Sequence, residues 1–144
     1  MDFIVYVIVV IIVIVLAVYV LPNISWRRRR RRFRARPMRS FDQWYAEFYK
    51  DKQCDKEMIR GLYEAIGKDV GADATQIYPS DRFEAELRCP EWWGLHGHEL
   101  ECAGFWIEEF LKPYRSVPES FPGVPTVEGL VNELEAILSR AGKQ

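Results

Sequence analysis

The strongest constraint on this chain is an uninterrupted apolar run near its start, FIVYVIVVIIVIVLAVYVL from Phe3 to Leu21, with no charge, glycine or proline. As a helix, nineteen residues at about 1.5 Å each span about 28 Å, close to the roughly 30 Å hydrocarbon core of a bilayer. A cleaved signal peptide carries positive charge before a shorter apolar run and a small-residue site after it. Here the only charge ahead of the run is Asp2, and Pro22 leads towards arginines. The run therefore reads as a transmembrane anchor over residues 1–22, and in lipid only a helix satisfies the backbone of one isolated segment.

The net charge of -1 hides two opposed blocks. Residues 27–39 hold nine of the 20 Lys and Arg and no acid, whereas residues 40–144 hold eleven basic and twenty acidic residues, or -9, and Asp2 supplies the remainder. Cytoplasmic flanks of membrane helices carry such an excess of arginine. This predicts a cell-membrane, single-pass protein with its N-terminus outside and its C-terminal domain in the cytoplasm. Residues 23–39 form the juxtamembrane segment. Within it Arg27, Arg28, Arg29, Arg30, Arg31, Arg32, Arg34 and Arg36 contact the bilayer and its anionic headgroups, bracketed by the interfacial aromatics Trp26 and Phe33. An arginine run also suits a phosphate backbone, but a run held against headgroups is already committed to lipid phosphate, which argues against nucleic acid.

Beyond the arginines, periodicity predicts helices. Ser40 precedes FDQWYAEFY, whose aromatics Phe41, Trp44, Tyr45, Phe48 and Tyr49 fall on one helical face within an amphipathic segment, 40–52. That face suits either the membrane surface or the chain's own domain. A second helix runs from Asp55, a good N-cap, to Val70, with Gly71 as its stop. A connection follows with a short helical piece at Asp81 to Leu87, then a helix from His98 to Lys112, and a last helix capped by Thr126 and lined by Val127, Leu130, Val131, Leu134, Ile137 and Leu138. No run reads as a strand pair. Cys54, Cys89 and Cys102 are odd in number and lack C-x-x-C spacing, so they read as free buried thiols.

The order of these helices over residues 53–144 resembles the acyl carrier protein family. Ile77 with Pro79, the stretch Ile107-Glu108-Glu109-Phe110 and the pair Thr126-Val127 carry the resemblance. It implies an all-α chain: an N-terminal membrane helix plus a small acyl-carrier-like bundle. Matching Phe110 to the family's phenylalanine puts His96 where the family carries its phosphopantetheine serine, and no serine lies between Ser80 and Ser116. The resemblance thus implies the fold without the cofactor, and none is expected.

His96 and His98 flank Gly97, with Cys102 downstream, all of metal-ligand type. Helical positions i and i+2 do not face each other, so the pair converges only in an irregular segment. The bland alternative is surface histidines near acids. The sequence therefore predicts a membrane-anchored, non-enzymatic interaction module whose acidic domain attracts a basic protein partner. The alternatives are a small metal- or thiol-dependent enzyme using His96, His98 and Cys102, or an atypical carrier.

Overall fold

The computed structural model describes residues 3–16, 30–52, 54–87, 100–114 and 124–141. The apolar run forms helix α1, Phe3–Val15, of 13 residues, and the α-helical ladder gives way to a π turn at Leu16. Thirteen residues at about 1.5 Å reach about 20 Å, well short of a bilayer core of about 30 Å. Among the described residues no helix is long and apolar enough to cross a membrane. The expected anchor over 1–22, and the single-pass location that followed from it, are corrected on this ground. From Ile4 to Leu16 the side chains are exposed, and none joins the core.

The other regular elements among the described residues are helices, with one isolated bridge between Arg82 and Thr126 in place of strands. Helix α2, Phe41–Phe48, starts at a capping box in which Ser40 accepts from the Gln43 N–H and the Gln43 side chain accepts from the Ser40 N–H. The aromatic stripe packs on its own domain. Trp44 is fully buried, donates its indole N–H to the Ile77 carbonyl at 3.2 Å, and meets Tyr63 edge-on at 4.5 Å. Tyr49 is buried beside it and shares a 2.8 Å hydroxyl contact with Tyr63.

Helix α3, Lys56–Val70, is the central element. Asp55 caps it by accepting from the Glu57 and Met58 N–H groups, and Gly71 ends it in the left-handed region at φ 70°, which favours glycine. Its buried face, Met58, Ile59, Leu62, Tyr63, Ile66 and Val70, meets both the aromatic stripe and helix α4, Glu101–Leu111. The close approach of α3 and α4 depends on Gly61, where an added Cβ would lie 2.5 Å from the Trp106 indole nitrogen. The N-cap of α4 is Leu100, whose side chain makes no capping bond; Asp69 of α3 takes that role from outside, accepting from the Cys102 and Ala103 N–H groups at 2.9 Å. Helix α5, Val127–Ala141, begins as expected at Thr126, whose hydroxyl accepts from the Gly129 N–H. It buries Val127, Leu130, Val131, Leu134 and Ile137.

One expectation is corrected. The segment 81–87 is turns, apart from the bridge, because part of its backbone is spent on the start of α5. The Phe83 N–H donates to the Pro125 carbonyl and the Val127 N–H to that of Asp81. Phe83 and Leu87 still reach the core. Phe110 is half-buried and stacks on Trp106 at 4.8 Å.

Leu62→Ala and Leu134→Ala should each cost about 2 to 5 kcal/mol, because both side chains are fully buried. Phe110→Ala should cost less than either. Urea titration followed by far-UV circular dichroism would rank the three, and a Phe110 variant as damaging as the leucine variants would contradict this packing.

Candidate functional site

The arginine-rich segment is part of the fold. Residues 30–34 are helical, and Phe33 lies in the hydrophobic core at 2% exposure. Its expected position at headgroup depth is thereby corrected. Arg36 grips Asp81 with two parallel hydrogen bonds of 2.6 and 2.7 Å, donates to the Gln76 carbonyl at 2.8 Å, and lies over the rings of Phe33 and Tyr78. Its hydrogen bond to Asp81 raises the guanidinium pKa further. Asp81 is buried and also accepts from the Tyr78 N–H. The expected headgroup contact of Arg36 gives way to this intramolecular pair. Arg30 donates to the Gly71 carbonyl at 3.1 Å and Arg39 pairs with Glu47. Arg31, Arg32 and Arg34 are exposed, while Trp26, Arg27, Arg28 and Arg29 lie outside the described residues.

The second group of sequence candidates is divided in the same way. His96 and His98 lie outside the described residues, as do Cys89, Trp92 and Trp93. Cys102 is exposed at the start of α4, contrary to a buried thiol. Its pKa is raised, first by a hydrogen bond to Asp69 and then by burial, which favours the neutral thiol over the reactive thiolate. Among the described residues no three His, Cys, Asp or Glu side chains converge on a point that could hold a metal ion.

Two concave surfaces stand out, and periodicity announced neither. One is a shallow notch of about 230 Å³ between the start of α3 and the end of α5, lined by the carboxylates of Asp55 and Glu135 and by Met58, Leu138 and Ser139. Cys54 is buried nearby, its thiol pushed up to about 12 by burial and by a hydrogen bond to Glu135. The other is an open groove of about 930 Å³ where residues 30–41 cross the end of α3 and the 3-10 turn Ala74–Gln76. Arg30, Arg34, Arg39 and Lys68 line it together with Met38 and Phe41. The sequence signal for this groove was the arginine run itself, legible as charge but not as a wall.

Arg36→Ala should destabilise the fold by about 3 to 5 kcal/mol, because it leaves the Asp81 carboxylate buried without its cation. Lys at position 36 should recover only part of that, since an ammonium cannot reproduce the two-pronged contact. Thermal or urea unfolding of the three proteins measures this, and an Ala variant as stable as the parent would refute it.

The architecture is all-α, but the likeness to acyl carrier proteins is corrected by comparison with known proteins. No family model matches this chain, and neither a curated protein nor a solved structure is measurably similar to it.

Proposed function

We propose that this chain is a non-enzymatic interaction module whose acidic helical surface docks a basic protein partner. The observation that carries the reading is the Asp55–Glu135 notch. Asp55 and Glu135 stand there beside the half-buried Leu138, an arrangement that suits a lysine or arginine side chain. The aliphatic stem of such a residue lies on apolar surface while its charged head stays among acceptors. The charge of residues 40–144, -9 by count, would steer such a partner and speed its encounter. An acidic surface used this way needs no enclosed cavity and no activated nucleophile. The raised pKa of Cys102 favours this reading over thiol chemistry.

The test is binding of a fluorescent Lys/Arg-rich peptide, followed by anisotropy. Affinity should fall as salt rises from about 0.05 M to about 0.5 M, where the screening length drops to a few ångströms. The double change Asp55→Asn and Glu135→Gln removes two charges yet keeps a good helix cap at position 55. It should weaken binding by about 1 kcal/mol, roughly fivefold, as expected for exposed ion pairs. A basic peptide that binds both proteins equally, or a salt-insensitive affinity, would refute the notch as the docking point.

A further inference from the structure

We propose that the groove beneath residues 30–41 is a second docking site, for an acidic peptide segment carrying an apolar anchor residue. The site is built from elements already held in place. The Arg30 side chain is fixed to the Gly71 carbonyl, and the Arg39 backbone N–H donates to the Thr75 hydroxyl. The Arg36–Asp81 pair holds the whole arm against the domain. Two further cations on the groove, Arg34 and Lys68, are exposed. Guanidinium and ammonium groups favour carboxylates, which arginine contacts with two parallel bonds.

The apolar part of the groove decides what accompanies the carboxylates. Met38 is 71% exposed and lines the groove beside the half-buried Phe41. A solvent-exposed methionine is an adaptable surface for an apolar side chain. The same groove carries two acids, Glu64 and Asp73. A nucleic-acid strand, with a phosphate at every step, would set some of its charges against them. A peptide spaces its carboxylates, can turn neutral residues or N–H donors towards Glu64 and Asp73, and can place a Leu or Phe on Met38. Charge complementarity with interspersed acids therefore selects the peptide.

The probes are a labelled short peptide in which Glu and Asp alternate with Ser around a central Leu-Phe, the same peptide with Leu-Phe replaced by Ser, and a single-stranded DNA oligonucleotide. The proteins are the full chain, Asp55→Asn/Glu135→Gln, Met38→Ser and Arg34→Glu/Lys68→Glu. All of the substituted side chains outside the notch are exposed, so loss of folding is not expected, and circular dichroism checks it. The full chain should bind the acidic Leu-Phe peptide. The Arg34→Glu/Lys68→Glu protein should bind it at least about tenfold more weakly, because two attractions become repulsions. Met38→Ser, and loss of Leu-Phe from the peptide, should each weaken binding severalfold. The notch variant should leave it unchanged, which separates this site from the basic-partner site. The proposal fails if the acidic peptide does not bind or binds the charge-reversed protein equally. It also fails if Leu-Phe makes no difference, or if the oligonucleotide binds more tightly than the peptide. Self-association of the full chain that the charge-reversed protein lacks would assign the groove to a second copy and overturn it too.

Discussion

The domain depends on one buried carboxylate. Asp81 is 3% exposed, and an ionised group in that position is tolerated only if it is paired and hydrogen-bonded. Its two oxygens take the Arg36 guanidinium and the Tyr78 N–H, and its backbone carbonyl takes the N–H of Val127. One residue therefore joins three stretches of chain: the arginine arm, the loop before Phe83 and the start of α5. The guanidinium in turn lies over Phe33 and Tyr78, so the cation is sheltered by rings while it neutralises the acid. The position of Phe33 in the core and the groove under the arm both follow from this contact.

What was legible in the sequence was whatever is encoded locally. Helix α3 carries an amphipathic face with a cap at each end and α5 one with a cap at its start, and Asp55, Gly71 and Thr126 act as their residue types suggest. The aromatic spacing of residues 41–49 likewise forecast a single face, though not that it would close on Tyr63 and Ile77. The misread features are those decided at long range. The Arg36–Asp81 pair spans 45 residues, and before it is known nothing distinguishes Arg36 from its neighbours in the run. Residues 81–87 lose a helix to a backbone partner at Pro125. Helix α4 starts without a capping side chain of its own because Asp69 supplies one from α3. The apolar run holds 19 residues, of which the described helix α1 accounts for 13.

Hydrophobicity thus serves two separate ends in this chain. The core is assembled from residues of 33–137, where each helix keeps an apolar side inward and a charged side outward. Helix α1 is apolar on every side and lends the core nothing. Counting apolar residues over the whole chain merges these two populations. Only the periodic one specifies the domain, because only a helix with two unlike faces has an orientation to lose.

Charge repeats that division. A chain of net -1 looks nearly neutral, yet its arm carries +9 by count and the rest -9, with Asp2 the remainder. If the two blocks simply cancelled on folding, no charged surface would remain to recognise anything. They do not cancel. Arg36 and Arg39 are paired with acids and Arg30 with a carbonyl, while Arg34 and Lys68 line one groove and Asp55 and Glu135 another hollow. Folding pairs Arg36 and Arg39 with acids and leaves Arg34 and Lys68 on a groove that also carries Glu64 and Asp73, while Asp55 and Glu135 stand at the notch. The two proposed contacts, one with a basic and one with an acidic partner, would weaken together as salt rises. The intramolecular Arg36–Asp81 pair, sheltered from solvent, would be screened far less, so salt would weaken the proposed contacts before it loosened the arm.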